Sequence, residues 1–155
     1  MDEIQIIPYN EELKKHFEKL NREWLERYFT VESVDEEIFK EPKKDIIDKG
    51  GYIYFALKGS EVVGTCALFK KHEGFELAKM AVTDKYQGLG IGRKLLEACL
   101  NKAQSVGAKH VELGSHKKLG PAIHLYKKLG FKEIPMSEEY KKKYARCNIQ
   151  MVYEF

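Results

Sequence analysis

Three glycines alternate through Gln87-Gly88-Leu89-Gly90-Ile91-Gly92, and this run joins an apolar strand pattern ending at Val82 to a helical pattern starting at Leu95. Leu95, Leu96, Cys99, Leu100 and Ala103 repeat with the period of an α-helix, and Gly107 follows as a left-handed stop. A glycine loop feeding straight into a helix places permissive backbone beside the unpaired amides and partial positive charge of a helix N-terminus. Such a junction attracts phosphate. Two familiar phosphate loops fail on spacing. A Walker loop ends Gly-Lys-Ser/Thr, whereas Gly92 is followed by Arg93-Lys94-Leu95. The dinucleotide fingerprint GxGxxG begun at Gly88 requires a glycine where Arg93 stands.

The surrounding pattern predicts how the loop is mounted. A strand at Ile4–Ile7 ends at Pro8, and a long helix follows, capped by Asn10 and carrying Leu13, Phe17, Leu20, Trp24, Leu25 and Tyr28 on one face. Trp24 reads as core or pocket wall. Ser33 and Glu36 have capping-box spacing for a second helix, and Pro42 precedes a short turn at Ile46-Ile47. Tyr52–Leu57, Val62–Phe69 and Phe75–Val82 are separated by polar turns and predict a three-stranded antiparallel meander. After the loop and its helix come a strand at Val111–Leu113, a helix near Gly120–Leu129, a short strand past Phe131 and a closing strand at Cys147–Tyr153. Pro135 to Arg146 reads as a mobile, solvated polar loop; lining of an acceptor mouth or a dimer contact by Tyr140 and Tyr144 is the alternative. A homodimer is compatible with these patterns without being specified by them.

Composition narrows the function classes. The chain has 155 residues, 43% hydrophobic and 33% charged, enough for one domain over residues 1–155 that buries a core unaided. No apolar run approaches the roughly 20 residues a membrane span needs, and the acidic start lacks the features of a secretory signal, so a cytoplasmic protein without membrane association is expected. Cys66, Cys99 and Cys147 are widely spaced and read as apolar fillers rather than disulfides or metal ligands; His16, His72, His110 and His124 show no metal spacing. The net charge of +3 is dispersed in lysine doublets without interleaved aromatics, which favours a small anionic ligand over nucleic acid.

The loop with its flanks resembles the GCN5-related N-acetyltransferases (GNAT), whose defining loop reads Arg/Gln-x-x-Gly-x-Gly/Ala. Gln87, Gly90 and Gly92 match it. The resemblance extends upstream through Leu77-Ala78-Lys79-Met80-Ala81-Val82 and downstream through Gly120-Pro121-Ala122-Ile123-His124-Leu125-Tyr126-Lys127-Lys128-Leu129-Gly130-Phe131, covering about 52–134. It implies an α+β (mixed α/β) fold: a mostly antiparallel central sheet of about six to seven strands, splayed after the fourth, with helices on both faces. It also implies acyl-CoA in the split, with the helices of about 10–50 on the acceptor side.

Residue by residue, the resemblance implies that the backbone of Met80, Ala81 and Val82 pairs with the pantetheine arm. Amides from Gln87, Gly88, Leu89, Gly90, Ile91, Gly92 and Arg93 hold the pyrophosphate, with the Arg93 or Lys94 side chain adding charge. Tyr126 is the expected proton donor to the leaving thiolate, with a packing role as the alternative reading. Glu76 and Glu112 are rival bases for the acceptor ammonium, and water alone is a third route. A backbone amide near Ala81 or Val82 would meet the oxyanion. One departure stands out: many relatives have Asn where this chain has Leu119, and His116 is the expected substitute for that cofactor contact. The expected activity is acetyl transfer from acetyl-CoA, without a metal, to a primary amine of a small molecule or peptide by direct attack in a ternary complex. A silent acyl-CoA sensor is the alternative.

Overall fold

The computed structural model describes residues 3–155. Its first strand, β1 (Ile4–Pro8), ends at a proline, which cannot donate to a ladder, and lies at the sheet edge against β2 (Tyr52–Lys58). β2, β3 (Glu61–Lys71) and β4 (Gly74–Val82) form the antiparallel meander. β5 (His110–Ser115), β6 (Lys132–Ile134) and β7 (Ile149–Glu154) complete a seven-stranded sheet in the order β1-β2-β3-β4-β5-β7-β6. Among the described residues only the β4/β5 contact is parallel, so the sheet is mixed and mostly antiparallel.

That parallel contact is also short. Gly74, Phe75 and Glu76 pair with His110, Val111 and Glu112, and beyond them the strands part: β4 stays with β3 to Val82 while β5 follows β7 to Ser115. Within the parted stretch β4 carries a bulge. Its register steps from Ala67↔Ala78 to Thr65↔Ala81, so that Lys79 and Met80 together oppose Cys66. Lys79 takes a positive φ of 55°, uncommon for a residue with a side chain.

Asn10 Oδ1 accepts from the Glu12 amide at 2.9 Å, as expected, and starts a single 3-10 turn that runs into α1 (Lys14–Tyr28). The next helix, α2 (Ser33–Lys40), corrects the expected Ser33/Glu36 box by one residue. Glu32 is the cap, its side chain accepting from the Asp35 amide, while its own amide donates to Asp35 Oδ2 at 2.9 Å. The reason is tertiary: Asp35 is drawn fully inside by buried cations, and Glu36 turns outward to Arg22.

The two sheet faces carry separate apolar clusters. α3 (Ile91–Ser105) and α4 (Gly120–Leu129) cover one, burying Leu95, Leu96, Cys99 and Tyr126 against Leu68, Phe75, Leu77 and Val111. α1, α2 and a short π turn at Lys43–Ile47 cover the other, with Phe17, Leu25, Phe39 and Ile46 packed on Ile53 and Phe55. Each such fully buried side chain contributes about 1.5–3 kcal/mol before entropy is counted.

The stretch from Pro135 to Arg146 overturns the solvated-loop reading. It contains α5 (Glu138–Lys143), capped by Ser137 Oγ on the Tyr140 amide at 3.3 Å, and both Tyr140 and Tyr144 are buried. Four residues apart, the two rings share one side of the segment. Gly114 on β5 makes the room, since a Cβ there would stand 2.8 Å from a Tyr140 ring carbon. A dimer contact through these tyrosines is thereby excluded as well.

Candidate active site

Where β4 and β5 part, a cleft of about 130 Å3 opens between the sheet, α1, α4 and the α5 segment. Glu76 to Met80 form one wall and Leu113 to His116 the other, with Trp24 from α1 and Phe29 just past its end, Tyr126 from α4, and Tyr140, Tyr144 and Arg146 closing the sides. The expected donor Tyr126 therefore reaches the split, and it does so from the face opposite α1 and α2. Burial raises its pKa, so it stays a protonated hydrogen-bond donor throughout the physiological range.

The rival acids turn out to be neighbours. Glu76 and Glu112 are register partners on the parallel strands, and because Phe75, Leu77, Val111 and Leu113 face α3 and α4, both carboxylates face the other side. Glu76 lines the cleft and is 2% exposed. Its Oε1 takes a hydrogen bond from Lys143 Nζ at 2.8 Å, with Lys71 Nζ at 3.8 Å. Glu112 is half-buried; burial raises its pKa, the Lys71 charge opposes this and the Glu76 charge adds to it. The carboxylate that sees the cleft is thus already paired with a primary ammonium of the chain itself.

The glycine loop begins one residue after a 3-10 turn at Asp84–Tyr86, and the Gln87 side chain donates to the Val82 carbonyl at 3.3 Å, tying the loop to the end of β4. Gly88 (φ 83°) and Gly90 (φ 78°) are both left-handed, and Gly90 serves as N-cap of α3 without a side chain to satisfy the first amides. A Cβ at Gly88, Gly90 or Gly92 would meet nothing within 4 Å, so the loop's backbone faces open space of the kind a pyrophosphate fills. Arg93 is half exposed and leans on Glu97, 3.6 Å away on its own helix.

Sequence reasoning missed the charged layer beneath the cleft. Asp35, fully buried, accepts from Arg146 at 2.8 and 2.9 Å and pairs with Lys79, the residue of the β4 bulge. Lys79 also lies 5.0 Å from the Tyr144 ring centre. Burial would raise the Asp35 pKa, but hydrogen bonds from Arg146 and the Lys79 charge outweigh it and hold it at about 2. Desolvation lowers the Lys79 pKa against the pull of Asp35. No local spacing marks this set, because its members come from α2, β4 and the segment before β7.

His116 and Leu119 both line the cleft. The His116 ring is fixed at both nitrogens: Nδ1 accepts from the Lys118 amide at 3.0 Å and Nε2 lies 3.2 Å from Asn148 Nδ2. Asn148 Oδ1 in turn accepts from the Lys117 amide. The loop after β5 is closed onto α1 by Lys118, which donates to the Tyr28 carbonyl at 2.6 Å and stands 4.1 Å over the Phe29 ring.

The sequence model of the acetyltransferase (GNAT) family matches residues 17–131, most of the chain and all of the parted strands, glycine loop and α4. The chain belongs to the GNAT acetyltransferase family. An uncharacterized N-acetyltransferase of Bacillus subtilis, YvbK, is 31% identical over 99 residues, which span 61% of this chain and 64% of the relative. Among solved structures, a GNAT acetyltransferase from Staphylococcus aureus superposes with a TM-score of 0.88 at 23% identity, covering 98% of this chain and 99% of that one. The PaiA N-acetyltransferase of Thermoplasma acidophilum, solved in complex with coenzyme A, gives 0.78 at 17% identity over 99% of both chains. At these identities the likeness to the solved GNAT proteins is one of fold.

Proposed function

We propose that this GNAT protein transfers acetyl from acetyl-CoA to a primary amine by direct attack in a ternary complex. The observation that carries the reading is the parting of β4 from β5 with the open glycine loop at one end and Tyr126 facing in from α4. The amides of Gln87 to Arg93 hold the pyrophosphate, and the free edge of β4 at Met80, Ala81 and Val82 pairs with the pantetheine arm as an added strand would. The PaiA protein, which shares the fold, is solved in complex with coenzyme A, and this supports coenzyme A as the ligand. Arg93, engaged by Glu97, contributes its amide rather than its guanidinium.

The acceptor enters from the α1 side, where Trp24 and Phe29 offer apolar wall. Glu76 takes the ammonium proton, because it is the acid that lines the cleft; Glu112, behind it, sets the local charge. The neutral nitrogen attacks the thioester carbonyl, a backbone amide of the bulged stretch Lys79–Val82 meets the oxyanion, and the C–S bond breaks as the Tyr126 hydroxyl gives its proton to the departing sulfur; the acylated nitrogen sheds its second proton, and the phenolate regains one, through water. His116 borders the cofactor side in place of the asparagine replaced by Leu119. The test is Tyr126→Phe: turnover falls by about 10^2-fold or more while acetyl-CoA affinity holds. Equal loss of both, or loss of neither, refutes the role of Tyr126.

A further inference from the structure

Tyr140 is the one cleft residue among the described residues whose buried polar atom has no hydrogen-bond partner. It is 2% exposed, and its ring is seated over Gly114, so the hydroxyl is held in place rather than free to swing to solvent. Tyr9 and Arg27 also carry an unpartnered buried atom, but neither lines the cleft. Leaving a buried hydroxyl unpaired is costly, and a functional site is where that cost is tolerated.

The neighbourhood indicates what would pair with it. Lys71 Nζ lies 3.8 Å from Glu76 Oε1 and 6.0 Å from the Tyr140 ring centre, and the Glu76 charge acts directly on the phenol. Lys143 Nζ sits on the same oxygen at 2.8 Å and 5.5 Å from the Phe69 and Tyr144 rings. An unbranched alkylammonium thus already occupies this carboxylate, supplied by a side chain of the short helix that carries Tyr140. Burial, with the charges of Glu76, Glu112 and Glu139 and a long approach of the hydroxyl to the Glu76 carboxylate added, raises the Tyr140 pKa, so the hydroxyl stays protonated and its lone pairs stay available to an N–H donor.

We propose that Tyr140 is a specificity-determining residue whose hydroxyl accepts a hydrogen bond from the acceptor nitrogen while Glu76 holds its charge, so that the site takes aliphatic primary amines that displace Lys143. The inference rests on the acetyl-transfer reading and adds the amine subsite to it. An arylamine, neutral at pH 7, lacks the charge that Glu76 pairs with and binds poorly.

The test is an NMR titration of the CoA-loaded protein with n-butylamine, in the wild type and in Tyr140→Phe. The substitution keeps the ring over Gly114 and removes only the unpaired oxygen, so thermal stability holds or rises. The expected result is affinity for n-butylamine weakened about 3- to 10-fold, the worth of one ordinary hydrogen bond, with CoA affinity unchanged. In turnover the same variant raises KM for the amine more than it lowers kcat. Equal n-butylamine affinity in both proteins, or no binding to the wild type, overturns the assignment. Failure of the wild type to bind CoA overturns the acetyl-transfer reading instead, and the titration repeated without CoA then still decides the Tyr140 subsite.

Discussion

Replacing Asp35 by asparagine keeps the shape of the side chain and removes the charge on which two buried cations converge. Lys79 has a side chain 3% exposed and Arg146 one 15% exposed, and both are bonded to Asp35; Arg146 keeps Glu32 at 2.9 Å, whereas Lys79 keeps no carboxylate partner. Removing one member of a buried pair costs about 3–5 kcal/mol, chiefly from the charge left uncompensated. Lys79 can escape part of this by shedding its proton, since desolvation already lowers its pKa. The expected loss is therefore near the lower end, about 3 kcal/mol, or a fall of about 1.5 M in the urea midpoint for an m-value of about 2 kcal/mol/M. Asp35→Asn combined with Lys79→Met regains at least about 1 kcal/mol, because the stranded charge goes with it. The pH dependence has a definite sign. The folded pKa of about 2 lies below the ordinary 3.8, so the contribution is complete at neutral pH and fades as pH falls below about 4 and through about 2. The wild type and Asp35→Asn converge in stability over that window. A loss under about 1 kcal/mol at pH 7, or a double variant no more stable than Asp35→Asn, refutes the reasoning.

Other perturbations probe the site. Glu112→Gln raises the melting temperature at pH 7, because a carboxyl whose folded pKa is raised stabilises only below its unfolded pKa and loses that benefit as pH rises; calorimetry at pH 4 and pH 7 checks that the gain appears only at the higher pH. Gly90→Ala forces a side chain into a left-handed conformation at a cost of about 1–2 kcal/mol, and although the Cβ finds open space, the displaced loop weakens acetyl-CoA binding in a titration. Lys143→Ala removes the ammonium hydrogen-bonded to Glu76 and leaves only Lys71 at 3.8 Å, so n-butylamine binds more tightly in the NMR titration; weaker binding would show that Lys143 builds the amine site rather than competing for it.

The cofactor side of the site is written in short stretches, and the acceptor side is not. Gln87 to Lys94 and Gly120 to Phe131 each carry their own spacing, and the meander before them carries period-two alternation, so the loop, α4 and Tyr126 were legible from local pattern. Glu76 and Glu112 were legible as separate candidates, but their adjacency depends on a parallel contact between strands 36 residues apart in their register. The Asp35, Lys79 and Arg146 set depends on three segments meeting, and it also moved the α2 cap from Ser33 to Glu32. Tyr140 and Tyr144 lay in a run of lysines and glutamates whose composition argues for solvent. What admits Tyr140 is the absent side chain of Gly114 on β5, while Tyr144 is seated against Lys79 and Arg146.

The central claim is most directly tested by incubating the protein with trideuterated acetyl-CoA and a panel of primary amines, aliphatic, aromatic and peptidic, and following the label by mass spectrometry. The account predicts deuterated acetyl on aliphatic primary amines, with CoA formed in equal amount and none of either with Tyr126→Phe beyond a small residue. Label on no amine while acetyl-CoA remains bound and intact would contradict it.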